Sequence, residues 1–249
     1  MLKALKRWIK RVLLGLLLLC VLFLMLLVSL RWVNPPTTSF MLQHNVRALF
    51  NDDLEFARHH WVPLSEIPAA MQLAVIASED QKFPDHRGID WAATQAAIEA
   101  YRSGRRAGGG STITQQVVKN LFLWGDRSTF RKVVEWGLAV LVEVFWTKER
   151  ILEIYLNTAQ FGRNEYGVGA ASQYLLNKPV AQITREEAAL LAAVLPSPAR
   201  MDVRRPSQHM RNRQAFILRQ MRNLGGEAYL QRLSSSPITS LHREVFLIV

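Results

Sequence analysis

The chain has 249 residues, with 31 Lys and Arg against 20 Asp and Glu, six His and one Cys, for a formal net charge of +11. That length holds one or two domains with a substantial core. A lone Cys20 excludes a disulfide framework, and 49% apolar with only 20% charged residues excludes intrinsic disorder.

Val12 to Leu30 run for 19 positions with no ionisable group except the Cys20 thiol. As a helix rising ~1.5 Å per residue, such a run spans the hydrocarbon core of a bilayer. Lys3, Lys6, Arg7, Lys10 and Arg11 precede it, and only Arg31 follows closely. The positive-inside rule then predicts a cytoplasmic tail over 1–11, a transmembrane signal anchor over 12–30 and everything after Trp32 outside. Trp8 and Trp32 flank the run as interfacial aromatics do. The alternatives are a cleaved signal peptide and a buried core helix. The run is longer than a signal peptide's apolar region, and Val28-Ser29-Leu30-Arg31 offers no small-x-small cleavage site.

Residues 1–39 hold six basic and no acidic residues, so 40–249 keep 25 basic against 20 acidic, a balance of +5. Nucleic acid thereby loses most of its support as a partner. A moderately basic outer domain suited to anionic lipid or phosphate remains.

Asn34-Pro35-Pro36-Thr37-Thr38-Ser39 closes a stiff linker over 31–39. Beyond it the helical period dominates. Leu42, Val46, Leu49 and Phe50 share one face, and Leu73, Ile76 and Ala77 another. Helices are predicted over 131–146, with Val134, Leu138, Leu141, Val142 and Phe145 at helical spacing, then over 147–157 and 185–195, the last stopped by Pro196 and Pro198. No alternating strand of five or more residues is apparent, so the fold class is mostly α. Phe40, Met41, Leu42, Leu49 and Phe50 suit either a bilayer surface or ordinary core.

Four stretches carry candidate chemistry. Glu79-Asp80-Gln81-Lys82-Phe83-Pro84-Asp85-His86-Arg87-Gly88 follows the apolar helical stretch Met71–Ala77 and ends in a turn. A carboxylate at such a helix end is partly desolvated, which suits a general base, though a solvated helix-end residue is the commoner case. Gly108-Gly109-Gly110-Ser111-Thr112-Ile113-Thr114-Gln115-Gln116 lets backbone approach a ligand. Thr112 and Gln115 fit a capping box, so a helix is predicted to start here with free N–H groups, although a bare Gly loop is more often mere surface. Lys119, Arg127, Arg131 and Lys132 then gather near Glu135, as either a surface ion-pair cluster or an anion cradle. Lys148 to Asn157 reads as an amphipathic helix in which Glu153 is structural first. No metal-binding spacing such as HExxH or CxxC occurs.

Together these blocks resemble the peptidoglycan glycosyltransferases of glycosyltransferase family 51. The motifs match in order: E-D-x-x-F-x-x-H-x-G at 79–88, G-G-S-T-I-T-Q-Q at 109–116, R-K-x-x-E at 131–135 and K-x-x-I-L-E-x-Y-L-N at 148–157. A fifth block over 167–174 matches too, with Leu175 where an aromatic is common. The resemblance covers about 40–226 and leaves 227–249 as a tail with no counterpart. Neither the Ser-x-x-Lys nucleophile nor the Lys-Thr-Gly strand of a penicillin-binding transpeptidase is found, so the monofunctional biosynthetic type is expected.

The resemblance implies a lysozyme-like helical domain with a smaller, membrane-associated lobe. It implies a substrate, lipid II, and a growing glycan, both carried on undecaprenyl diphosphate at the outer face of a bacterial inner membrane, with the catalytic domain in the periplasm. Glu79 is then the general base on the GlcNAc 4-hydroxyl, which attacks C1 of the donor and inverts it. Glu135 is a second essential carboxylate, and Lys119, Arg127, Arg131 and Lys132 face the diphosphate. Ser111, Thr112, Gln115 and Gln116 line the cleft, with Gly108–Gly110 in a loop. Asp80, Phe83, His86, Gly88, Lys148 and Glu153 support the site. A divalent cation, Mg or Mn, is compatible with the diphosphate, and no obligatory cofactor is evident. Other cell-wall synthesis or division proteins are compatible partners. A glycan-cleaving lysozyme-like enzyme and an inactive wall-binding scaffold are the alternatives. The first needs no cationic cradle, and the second does not need intact Glu79 and Glu135.

Overall fold

A computed structural model describes residues 2–104, 109–126 and 128–235. The chain divides into two units, Met1–Pro36 and Thr37–Val249.

The first unit is built on α1, Leu2–Ser29. It is the one helix among the described residues long and apolar enough to cross a membrane by length and composition. At ~1.5 Å per residue it is about 42 Å long. It starts well before the apolar run because Lys and Arg are good helix formers, so the basic flank continues the same helix.

The second unit is mostly helical. After α2, Ser39–Ala48, come α3, Ala69–Glu79, and α4, Trp91–Arg102; α5, Ile113–Phe122, and α6, Thr129–Phe145, follow. Next are α7, Lys148–Thr158, α8, Gly167–Ala171, α9, Arg185–Val194, α10, Gln208–Asn223, and a short α11, Gln231–Ser234. A π-turn over Ser172–Leu176 continues α8 and ends at Asn177, whose φ is 53°. Two strands of two residues each, β1 at Arg58–His59 and β2 at Glu165–Tyr166, pair in parallel with Arg58 opposite Glu165 and His59 opposite Tyr166. Strands this short leave no alternation in the sequence.

The centre of the unit is α3. Met71, Leu73, Ala74, Val75 and Ile76 are all fully buried, so the helix is apolar around its whole circumference, as a core helix must be. It packs against α9 and α10, while α5 packs against α6 and α7. Helix starts are fixed by side-chain caps. Thr112 Oγ1 accepts from Gln115 N at 3.2 Å and Gln115 Oε1 accepts from Thr112 N at 3.3 Å, completing the expected capping box. Ser128 and Thr147 cap α6 and α7 with a single side-chain bond each, accepting from Arg131 N and Arg150 N. The apolar positions of α2 and the turn after it divide: Met41 is buried, whereas Leu42, Val46, Leu49 and Phe50 are exposed, Phe50 at 86%.

Candidate active site

The end of α3 meets the beginning of α5, and the contact is made by Asp80. Its Oδ2 accepts from Ile113 N at 2.9 Å, and His86 Nε2 lies 2.9 Å from the same oxygen and 3.0 Å from Oδ1. One carboxylate therefore joins the two helix ends and the loop over 80–88. Phe83 anchors that loop in the core. Its far end is Gly88, at φ +84°, where a Cβ would stand 2.7 Å from Ala139 O. Only glycine fits there, on both backbone and packing grounds. The Gly88 carbonyl accepts from Thr112 Oγ1 at 2.6 Å, which ties the loop to the α5 cap.

Beneath the loop, Lys148 is fully buried. Its Nζ donates to Glu143 Oε1 and to His86 O, each at 2.7 Å, and stands 4.6 Å from the Phe83 ring centre. Thr114 Oγ1 donates to the same Glu143 oxygen at 2.6 Å. Burial lowers the Lys148 pKa, and the charge of Glu143 opposes that shift most. Lys148, Phe83 and His86 thus hold the loop from inside. Glu153 is structural as well, with Oε1 accepting from Leu64 N at 3.1 Å and Oε2 from Arg150 at 2.6 Å.

Glu79, the last residue of α3, is held by three donors. Gln116 Nε2 donates to Oε2 at 3.0 Å, Ser78 Oγ to Oε1 at 3.0 Å, and Arg213 of α10 approaches Oε1 at 3.5 Å. Arg213 also donates to Ser78 Oγ at 3.1 Å. The Gln116 amide is oriented in turn by the Tyr155 hydroxyl, which donates to its Oε1 at 3.1 Å. Burial first, then the charges of Glu79 and Asp80, raise the Tyr155 pKa well above its usual value, so this hydroxyl stays a donor.

Glu135 lies on α6 and is buried. Arg131 donates to its Oε2 at 2.7 Å and Lys132 to its Oε1 at 2.5 Å. Lys132 Nζ also reaches Ser111 Oγ at 2.8 Å and Gln115 Oε1 at 3.3 Å, which binds the α6 cluster to the Gly-Ser-Thr turn. Gln115 is fully buried and Thr112 nearly so, and Thr112 borders the cleft at the start of α5. The Lys119 ammonium makes no hydrogen bond or ion pair among the described residues and stands 5.6 Å from the Phe40 ring centre. Burial lowers its pKa. The charges of Glu135 and Glu79 oppose this, while Arg131 and Lys132 add to it, so one ammonium senses both carboxylates. Arg127 and Gly108 lie outside the described residues.

Two hollows meet at the Gly110-Ser111 turn. A cleft of about 390 Å³ runs from Glu79, Asp80, Gln81 and Lys82 to Gly109–Thr112. A more apolar groove of about 630 Å³ is bordered by Thr94, Tyr101, Ser111, Arg131, Lys132 and Trp136. A further hollow, about 680 Å³ between His60, Ser65, Gln173 and Lys178, contains none of the predicted site residues. Its lysine is already paired with Glu187 at 2.8 Å.

Sequence reading did not single out Ser78, Arg213, Tyr155 or Glu143. A lone acid amid Leu141, Val142, Val144 and Phe145 was the available sign for Glu143. Arg213, one of several arginines on α10, carried no local sign.

A helical core that presents one carboxylate in a cleft, with a second, cation-bound carboxylate beyond a Gly-Ser-Thr turn, has the groups of an enzyme that sets a general base beside an anion-stabilising cluster. The comparisons agree. The transglycosylase family model matches residues 47–222. A "Biosynthetic peptidoglycan transglycosylase" of Pasteurella multocida is 49% identical over 214 residues, covering 86% of this chain and 87% of that protein. Proteins with the same description from Klebsiella oxytoca and Pseudomonas entomophila are 48% and 45% identical, over 90% and 83% of this chain and 94% and 88% of their own lengths. The chain belongs to the transglycosylase family.

Proposed function

We propose that this chain polymerises lipid II into linear peptidoglycan strands, with Glu79 as the general base. The observation that carries this reading is the placement of Glu79 at the cleft, held by Gln116, Ser78 and Arg213, beside a turn bound to the Lys132–Glu135 pair. Glu79 takes the proton of the acceptor's GlcNAc 4-hydroxyl. That oxygen forms the new bond to C1 of the donor's MurNAc, and the bond from C1 to the diphosphate breaks on the opposite face. The lipid diphosphate departs with the bonding electrons, and nearby cations stabilise the charge.

Lys119 is the cation best placed to meet that charge, because no described carboxylate is paired with it. Lys132 and Arg131 are held in place by Glu135, which makes Glu135 an organiser of the cations. Ser111 adds a hydroxyl at the same turn. The residues do not fit a resident Mg or Mn ion: both Glu135 oxygens are engaged by cations, and no three His, Cys, Asp or Glu side chains gather among the described residues.

On this reading α1 anchors the enzyme in the inner membrane with its basic end in the cytoplasm and the enzymatic domain in the periplasm. The exposed Leu42, Val46, Leu49 and Phe50 of α2 and its following turn dip into the bilayer surface where a lipid-linked substrate resides. The test is polymerisation of labelled lipid II in detergent by the native chain and by Glu79→Gln. Long, lysozyme-digestible glycan from the native chain and none from the variant is expected. Equal polymer from both removes Glu79 from its role, and cleavage of added glycan without polymerisation replaces the reading with a hydrolase.

A further inference from the structure

The loop leaving Glu79 is held from within and from without, and the outer hold comes from a part of the chain beyond the family match at 47–222. A 3-10 turn over Gly226–Leu230 runs into α11 and packs against α3, while α11 packs against α7. Tyr229 and Leu233 are buried there. The Tyr229 hydroxyl donates to the Gln81 carbonyl at 2.5 Å, and Arg232 pairs with Asp85 at 2.5 Å while lying 5.0 Å from the Tyr229 ring centre. Burial pushes the Tyr229 hydroxyl up to about 12 against the opposing charge of Arg232, so it is a donor throughout the neutral range.

Gln81 and Lys82 are exposed and line the cleft beside Glu79. Glu79 does not depend on the outer hold, since Ser78, Gln116 and Arg213 fix its oxygens and Asp80 is pinned by Ile113 and His86. From Gln81 to Asp85 the situation differs. Phe83 and Pro84 are buried, but on the solvent side Tyr229 and Arg232 supply the hydrogen bond and the ion pair between this stretch and the C-terminal segment.

We propose that the segment over 226–235 is a clamp that sets the Gln81–Lys82 wall of the cleft, with Tyr229 and Arg232 as positioning residues for substrate affinity. This rests on the polymerase reading for the identity of the substrate. Loss of one hydrogen bond or ion pair leaves the base in place and lets the wall relax, so binding weakens while the chemical step persists.

The test uses the full chain in detergent with Tyr229→Phe, which keeps the ring, and Arg232→Ala, with Arg232→Lys as the conservative replacement. Two quantities are read: KM and kcat for polymerisation, and Kd for fluorescent lipid II measured in a Glu79→Gln background. KM and Kd are expected to rise about fivefold in Tyr229→Phe and Arg232→Ala, the scale of one lost hydrogen bond, with kcat within about twofold and Arg232→Lys near native. A purely structural role would lower the folded fraction, reducing kcat and leaving KM and Kd unmoved. That outcome, or no change in any of the three, overturns the clamp. Absence of polymer from the native chain would instead overturn the polymerase reading, while Kd would still report on the clamp.

Discussion

Gln116 donates to Glu79 through Nε2 at 3.0 Å and accepts from Tyr155 through Oε1 at 3.1 Å, so a carboxylate that only accepts and a buried phenol that donates together fix which way the amide points. An amide is free to rotate by half a turn, and the reversed form would set its oxygen against the charged Glu79. Reversal would also take the acceptor away from the buried Tyr155 hydroxyl proton, which adds to its cost.

Gln116→Ala removes a hydrogen bond to a charged group. It is expected to lower kcat for polymerisation by about 10- to 100-fold, from roughly 1.5–3 kcal/mol for such a bond. Tyr155→Phe leaves the amide oriented by Glu79 alone, and a loss of about fivefold is expected, from a neutral bond of ~1 kcal/mol. Initial rates with saturating lipid II check both. A Tyr155→Phe loss as large as that of Gln116→Ala would show that the phenol acts by more than orienting the amide.

Lys119 predicts a pH dependence. Burial lowers its pKa, with Arg131 and Lys132 adding to the shift and the two carboxylates opposing it. A lysine titrating below its usual value is charged at lower pH and loses its proton as pH rises through the lowered value. Neutral Lys119 cannot stabilise an anionic diphosphate, so KM is expected to climb on the alkaline side at a lower pH than an ordinary lysine would give. A bound diphosphate favours the charged form, so kcat is expected to hold to higher pH than kcat/KM. In Lys119→Gln the alkaline rise in KM is expected to vanish, which steady-state kinetics from pH 7 to 10 would show. A rise that survives the substitution belongs to another group.

Legibility in the sequence followed the range of the interactions. The α5 start was readable because Thr112 and Gln115 are three residues apart and cap each other locally. The helices at 129–145, 148–158 and 185–194 were readable because their apolar spacing is a property of one segment. The link from Arg131 and Lys132 to Glu135 was legible too, being set by helix spacing of four and three. What stayed hidden spans long stretches of chain: Arg213 beside Glu79, Tyr229 on Gln81, and the Arg58–Glu165 pairing of β1 and β2. The first two depend on α10 and the C-terminal turn folding back on α3, and the third on two dipeptides about a hundred residues apart meeting beside α8, none of which a local period encodes. The apolar face of α2 was half legible, since periodicity marks a face without saying what covers it. In the fold Met41 turns inward and Leu42 does not.

The buried Lys148–Glu143 pair predicts how the loop's foundation responds to substitution. Both side chains are essentially inaccessible, and their contact of 2.7 Å sits beneath His86 O and Thr114 Oγ1. Lys148→Met leaves Glu143 in a low-dielectric site with Thr114 as its one remaining partner among the described residues. A loss of about 3–5 kcal/mol in stability is expected, because a buried charge without its counterion is costly. Replacing both, as Lys148→Met with Glu143→Leu, removes the stranded charge and is expected to recover much of that loss. Recovery of activity should lag behind, since His86 O loses its Lys148 donor in either case and the loop over 80–88 loses its inner hold. Thermal unfolding of the three proteins, set beside their polymerisation rates, separates the two effects. If the double variant regains stability and full rate together, Lys148 serves only to neutralise Glu143, and the loop needs no ammonium beneath it.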